Sequence, residues 1–188
     1  MKRSVWLFAA LTLFGVVAHA ADPTASLNRT FAEYTGTGPV GDGTINDGSH
    51  FFWMYESSGT WSGQAVDSWL LFWDPRIPLG VFGAITFDAP ILFVHDDQSE
   101  LIATAAFGKV GVSYQYGNSS MGLEVFDKAH TSVVGGALVL SKSGWLGEDP
   151  GDLVRVMTAA PVPEPGTYAL LAAGLGVVGM VARRRRFT

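Results

Sequence analysis

The side chains of this sequence that could carry out acid–base or metal chemistry are few. Past the first twenty residues the histidines are His50, His95 and His130, and their spacing matches neither a metal-binding pair nor an HExxH helix. There is no Gly-x-Ser-x-Gly elbow. The absence of cysteine excludes a thiol nucleophile, a thiolate metal site and disulfides. A hydrolase would therefore need a carboxylate pair such as Glu124 and Asp127, held about 5 to 9 Å apart in a cleft.

A second candidate site is the acidic stretch from Asp96 to Glu100, between two predicted strands. Carboxylates that lie close together in a loop suit a hard cation, and Ca²⁺ takes about six to eight oxygen ligands. Asp96, Asp97 and Glu100 are therefore calcium candidates, and a solvated turn is the alternative that needs no metal. The stretch 41–48 also resembles a calcium loop, but turn chemistry explains it equally well. No other cofactor is expected.

Tryptophan residues form a third candidate site. An exposed indole ring can stack on a sugar ring, and Trp69 and Trp73, four residues apart on one predicted strand, would point to the same side. Trp53 lies on a neighbouring predicted strand. The pattern leaves two interpretations open. The chain could be a carbohydrate-binding module, or the tryptophans could fill the core, where large aromatics on strands are more often found.

These candidates must be positioned by short β-strands, because residues 21–160 contain no long amphipathic helix. Runs of aromatic and β-branched residues alternate with glycine-rich and polar turns. The spacing predicts one domain, an antiparallel β-sandwich that is jelly-roll-like, with a β-barrel as the alternative. The predicted strands are Ser49–Glu56, Ala65–Phe72, Gly80–Phe87, Ile91–His95, Leu101–Ala105, Val112–Tyr116, Gly122–Phe126, Val133–Leu140 and Leu153–Thr158.

The first twenty residues have the features of a secretory signal peptide. Lys2 and Arg3 are followed by an uncharged apolar run, which is short for a membrane span. Ala18 and Ala20 flank one residue, as in the A-x-A site of a signal peptidase. We therefore expect cleavage after Ala20, which would export the remainder of the chain.

The C-terminal residues 161–188 combine three features in a fixed order. Val162, Pro163, Glu164 and Pro165 come first, and an apolar segment over about 166–182 follows them. The uncharged run alone is short for the hydrocarbon core, but its flanks and the outward reach of the arginines bring it close to spanning, and we expect a single transmembrane helix. Four arginines end it, and the positive-inside rule keeps such a cluster in the cytoplasm while the body lies on the periplasmic side. These are Arg183, Arg184, Arg185 and Arg186.

This tail resembles the PEP-CTERM sorting signal of Gram-negative bacteria, which is also described as an ice-binding protein C-terminal domain, a name that implies no activity. The resemblance implies that an exosortase processes the chain. Val162, Pro163, Glu164 and Pro165 would be its recognition element, and Arg183 to Arg186 would be the stop-transfer charge. Until processing, the apolar segment would anchor the protein in the inner membrane.

The charge of the exported part excludes one class of partner. Residues 21–165 carry 17 acidic and six basic residues, which gives a net charge of −11. Nucleic acid is not an expected partner, because its binding requires neutralised phosphates. We therefore expect a non-enzymatic protein of the cell surface or extracellular matrix, structural or adhesive and associated with exopolysaccharide. The alternatives are the carbohydrate-binding module and the secreted hydrolase.

Overall fold

Two β-sheets stacked face to face make up the body of the protein. In this computed structural model the described residues are 20–41, 43–75, 79–116, 122–123, 125–146, 152–161 and 171–179, with only the backbone described for 142–146. The predicted signal peptide lies outside these residues except for Ala20. The elements are β1 Thr24–Leu27, β2 Thr30–Glu33, β3 Asp47–Trp61, β4 Gln64–Asp74, β5 Gly80–Thr86, β6 Ile91–His95, α1 Gln98–Ala103, a 3₁₀ turn Ala105–Phe107, α2 Val125–Ala129, β7 Thr131–Val134, β8 Ala137–Leu146 and β9 Asp152–Ala159.

The strand order shows how the two sheets are connected. The first sheet has the order β1-β5-β8-β7 and is antiparallel throughout. The second has the order β2-β3-β4-β9-β6, in which only β2 and β3 run parallel. The body is therefore mostly β and forms a two-sheet sandwich, as the sequence predicted. Its connectivity differs from the expected jelly roll, because the consecutive strands β2, β3 and β4 are neighbours in one sheet.

Strand β4 lies at the centre of the second sheet and is buried on both faces. Trp69, Leu71 and Trp73 point toward the first sheet and join the main core with residues such as Val81 and Leu138. Successive side chains of a strand point to opposite faces. Leu70 and Phe72 therefore point to the outer face, where they are also buried.

The outer face of the second sheet is covered by α1, the 3₁₀ turn and residues 108–116. Leu101 of α1 is fully buried in this outer core. Three of the predicted strands are therefore wrong: Leu101–Ala105 lies in α1 and the 3₁₀ turn, Val112–Tyr116 contributes only one isolated bridge, and Gly122–Phe126 runs into α2. The predicted strand Val133–Leu140 is instead two strands, β7 and β8, joined by a turn at Gly135 and Gly136. The run Gln98–Ala103 contains glutamine, glutamate, leucine and alanine, which favour a helix. Its buried residue, Leu101, packs on the outer face of the sheet.

A buried ion pair joins this outer layer to the sheet. Arg155 of β9 and Glu56 of β3 have no exposed side-chain surface. Nε of Arg155 donates to Oε2 of Glu56 at 2.6 Å, and Nη2 donates to Oε1 at 2.8 Å, which is the two-pronged geometry of a strong guanidinium–carboxylate pair. The hydroxyl of Ser68 on β4 also donates to Oε2 of Glu56, at 2.7 Å. Three neighbouring strands thus meet at one carboxylate.

The remaining nitrogen of the guanidinium reaches into the covering layer. Nη1 of Arg155 donates to the carbonyl oxygen of Leu101 at 3.1 Å and to the hydroxyl of Thr104 at 2.6 Å, while Nη2 also donates to the hydroxyl of Tyr116 at 3.0 Å. Burial opposes the charge of Arg155, but the bonds and charge of Glu56 hold its pKa above the ordinary value. The guanidinium of Arg155 therefore keeps its positive charge in the core.

We predict that Glu56→Ala costs about 3–5 kcal/mol of unfolding free energy, because it leaves the buried guanidinium unpaired. Urea unfolding of this variant measures the loss, and Glu33→Ala is the control, since Glu33 is exposed on β2 and should change stability by less than about 0.5 kcal/mol. Replacing both partners, as Glu56→Met with Arg155→Met, should recover much of the loss. A cost below about 1 kcal/mol for Glu56→Ala would contradict this account of the ion pair.

Candidate functional site

The C-terminal tail, on which the sequence places the sorting signal, is described only in part. Residues 171–179 form a helix within the predicted apolar span. In the part of the chain that the structure describes, no helix has both the length and the apolar character needed to cross a membrane. Val162, Pro163, Glu164, Pro165 and the four arginines lie outside the described residues. The transmembrane helix over 166–182 therefore stays a prediction.

The tryptophans proposed to stack on glycans are buried. Trp69 and Trp73 have no exposed surface, and Trp53 is 7% exposed. All three pack in the core between the sheets, and Nε1 of Trp69 donates to the hydroxyl of Thr158 at 3.1 Å. The glycan-stacking hypothesis is therefore wrong for these residues. The physical reason is that odd-numbered positions of β4 point toward the first sheet, and Trp53 of the neighbouring strand β3 packs in the same core.

Only one member of the carboxylate pair proposed for a hydrolase lies among the described residues, and it is not in an open cleft. Asp127 lies in α2 and is 1% exposed. Glu124 is outside the described residues. A general acid or base must reach its substrate, so the burial of Asp127 speaks against that role.

The acidic stretch after β6 does bring its carboxylates together. One oxygen from each of Asp96, Asp97 and Glu100 lies within 4.8 Å of the others. Asp97 precedes α1, and Leu101 donates its backbone N–H to the carbonyl oxygen of Asp97 at 2.9 Å. The first turn of α1 thus carries Glu100 back over Asp96, whose backbone N–H donates to Oε2 of Glu100 at 3.2 Å.

Gly122 supports the backbone next to this cluster. It pairs with Asp97 through an isolated antiparallel bridge, and Leu123 donates its N–H to the carbonyl oxygen of Asp96 at 2.7 Å. Gly122 has a φ of 100°, and a Cβ atom there would lie 2.4 Å from the carbonyl oxygen of Asp96. Only glycine fits this position, so the contact between the two segments depends on it.

Two basic side chains border the cluster. The ammonium of Lys128 on α2 forms an ion pair with Asp97 and lies 3.4 Å from Oδ1 of Asp96. His95 is 8% exposed, and its Nδ1 lies 3.9 Å from Oε2 of Glu100. The cluster therefore carries three carboxylates against one ammonium, which leaves an excess of negative charge where a cation can bind. Calcium binding there stays a prediction.

Two buried carboxylates of β4, Asp67 and Asp74, have roles that were not predicted from the sequence. Asp74 accepts backbone N–H bonds from Gly43 at 3.1 Å, Ile45 at 2.7 Å and Asn46 at 3.2 Å. These bonds give the stretch 41–48 a structural explanation that needs no calcium. The signal that could have found Asp74 was its position directly before Pro75, at the end of an otherwise apolar strand.

We predict that stability falls as the pH drops below about 6.5, the ordinary pKa of histidine. Burial lowers the pKa of His95, and nearby Arg155 lowers it further, while Glu100 and Asp96 act in the opposite direction. The folded protein therefore holds His95 neutral at pH values where the unfolded chain binds a proton. This contribution to stability is complete above about pH 6.5 and is lost as the pH falls toward the lowered pKa.

Thermal unfolding between pH 7.5 and 5 tests this dependence. His95 packs against the rings of Trp61 and Phe93, so His95→Phe removes the titrating group and keeps an aromatic ring. This variant should lose less stability over that range than the parent chain, while His130→Gln, at a half-buried histidine outside this aromatic cluster, should follow the parent. Identical pH profiles for the parent and His95→Phe would show that His95 does not contribute.

We also predict that Lys128→Met makes the stability of the protein dependent on calcium. Removing the ammonium leaves Asp96, Asp97 and Glu100 uncompensated, so the melting temperature should drop and millimolar Ca²⁺ should restore it. Lys109→Met is the control, because Lys109 lies outside the cluster. If Ca²⁺ affects the two variants equally, the cluster is not a cation site.

Comparisons with known proteins identify the tail and give no match for the body. The family model for the PEP-CTERM protein-sorting motif matches residues 161–186. A search of curated proteins finds no match, and a search of solved structures finds none either. The match begins where the β-sandwich ends and runs through the last of the four arginines. The chain is therefore a PEP-CTERM sorting domain-containing protein.

Proposed function

We propose that the body is a non-enzymatic component of the cell surface or extracellular matrix, delivered there by its C-terminal tail. The observation that carries the proposal is the PEP-CTERM motif at residues 161–186, which implies an exosortase as the processing partner. The protein would take part in that reaction as a substrate. Its own role outside the cell would be structural or adhesive, together with exopolysaccharide.

The order of the segments supports this route. A signal peptide at residues 1–20 would export the chain, and the apolar span over 166–182 would hold it in the inner membrane with the body outside. Val162 to Pro165 would then lie just outside the bilayer. Proline lacks a backbone N–H and keeps the preceding residue extended, so this stretch would remain accessible to the active site of a membrane-bound enzyme.

The environment of the candidate catalytic groups supports a non-enzymatic role. His95 is buried among aromatic rings, Asp127 is buried in α2, and Asp97 is engaged by Lys128. None of these is presented to a substrate as a free acid, base or nucleophile. The buried polar groups of the sandwich instead hold its layers together, as expected of a protein whose body acts through its surface.

The charge of the body limits how it could associate with exopolysaccharide. With 17 acidic and six basic residues between positions 21 and 165, it would be repelled by an anionic polymer. Association would therefore use neutral sugars, or a divalent cation shared between carboxylates of the protein and of the polymer. The cluster of Asp96, Asp97 and Glu100 is the described group of carboxylates best placed for such sharing.

Cell fractionation with intact mass measurement in the native host tests the sorting step. The parent chain should be found outside the inner membrane, with a mass that ends close to Pro163–Pro165. We predict that replacing Pro163, Glu164 and Pro165 with alanine leaves the protein in the inner membrane with its tail intact. Glu33→Ala, an exposed change on β2, is the matched control and should be sorted normally. An alanine variant that is still cut and released would contradict the assigned role of the motif.

A further inference from the structure

Among the residues that the structure describes, one carboxylate is buried in the core between the two sheets without an ion-pair partner. Asp67 of β4 has no exposed surface, and it points to the same side as Trp69, toward the first sheet. In the described part of the chain, none of the ion pairs includes Asp67. A buried charge is costly unless it is paired and hydrogen-bonded, so the partners of this carboxylate need an explanation.

The closest partner of Asp67 is the backbone at the start of the described chain. The N–H of Ala20 donates to Oδ2 of Asp67 at 2.8 Å, and Ala20 is itself 6% exposed and part of the main core. On the other side, the hydroxyl of Tyr55 lies 3.4 Å from Oδ1, which is long for a hydrogen bond from a hydroxyl. A neutral N–H and a distant hydroxyl compensate a buried carboxylate only in part.

The residue that reaches Asp67 lies at the predicted signal-peptidase site. A cut after Ala20 would leave the new amino group on Ala21, and a cut after the other small residue, Ala18, would leave it on His19. In either case the amino group is one residue away from the nitrogen that contacts Asp67. An α-amino group has an ordinary pKa of about 7.7–8.0, so it is positively charged at neutral pH.

We propose that Asp67 is the binding site for the α-ammonium group that signal-peptide removal creates. This inference rests on the export step of the proposed function. The new terminus enters the space that Ala20 occupies between the sheets and forms a buried ion pair with Asp67. In the described part of the uncleaved chain, the group that donates to Oδ2 of Asp67 is a neutral amide N–H. Removal of the signal peptide thereby completes the core, and the mature protein is more stable than its precursor.

The local structure allows the terminus to adjust by one residue. Strand pairing begins at Thr24, so residues 20–23 are not held in a sheet. Ala21 and Asp22 are exposed. After a cut at Ala20, Ala21 can move into the vacated space with a side chain of the same size, since both residues are alanine.

The pKa of the α-amino group in the protein purified from its host tests the proposal. Competitive acetylation across a pH series, read by mass spectrometry of the N-terminal peptide, reports this pKa, and the intact mass reports the site of cleavage. We expect the pKa to lie at least one unit above its ordinary value, which is about a tenfold lower reactivity near pH 7. Asp67→Asn should abolish the rise in the α-amino pKa. The control is Asp22→Asn, which removes an exposed carboxylate beside the terminus and should preserve most of the rise.

A second variant covers the case in which Asp67→Asn does not fold. Inserting Gly-Ser between Ala21 and Asp22 keeps Asp67 but displaces the terminus, and it should remove the shift and lower the melting temperature by several degrees. The proposed ion pair is overturned if the processed chain has an ordinary α-amino pKa, or if a raised pKa is unaffected by Asp67→Asn. In both cases the export proposal still stands. A chain that still begins at Met1 overturns both.

Discussion

The pairing of Arg155 with Glu56 is the constraint on which the architecture depends most. A guanidinium and a carboxylate without exposed surface are stable only when every donor and acceptor is satisfied, and this pair meets the condition by recruiting Ser68, Leu101, Thr104 and Tyr116. Its partners come from β3, β4, β9 and the covering layer. Because α1 is only six residues long, it could not persist alone, and the network with Leu101 holds it on the sheet. The acidic cluster takes its shape from that attachment, since Glu100 lies on the same short helix.

Two adjacent polar residues of β4 illustrate how the sandwich distributes its charges. Ser68 points to the outer face and joins the ion pair of Arg155, whereas Asp67 points inward to the core between the sheets. The outer carboxylate, Glu56, has a guanidinium of its own chain as its partner. For the inner carboxylate, Asp67, we infer that the partner is the α-ammonium group that removal of the signal peptide creates. In this view the protein acquires its full stability only after it has left the cytoplasm, where a lasting fold would hinder export.

The sequence predicted the sorting tail and the sandwich, but it did not predict the outer layer. The tail was recognisable because Val162 to Pro165, the apolar segment and the four arginines are contiguous, so no tertiary contact is needed to identify them. Strand β4 was predictable because apolar residues fill both of its faces. The strand predicted at Leu101–Ala105 failed because a short apolar run is compatible with either a strand or a helix, and the choice depended on Arg155, 54 residues away. The tryptophan hypothesis failed because alternation shows which residues share a face but not which face is covered.

The body is an acidic β-sandwich, and the tail carries a PEP-CTERM sorting motif that implies export and membrane-associated sorting. The buried polar groups Arg155 and Glu56 hold the layers of the body together, and Asp127, the described member of the candidate catalytic pair, is buried. The most direct test of the central claim is the C-terminal mass of the protein in its host and in a strain of that host without exosortase. The account predicts a released body that ends near Pro163–Pro165 in the first and a membrane-held chain that ends at Thr188 in the second. The same C-terminus in both strains would contradict it.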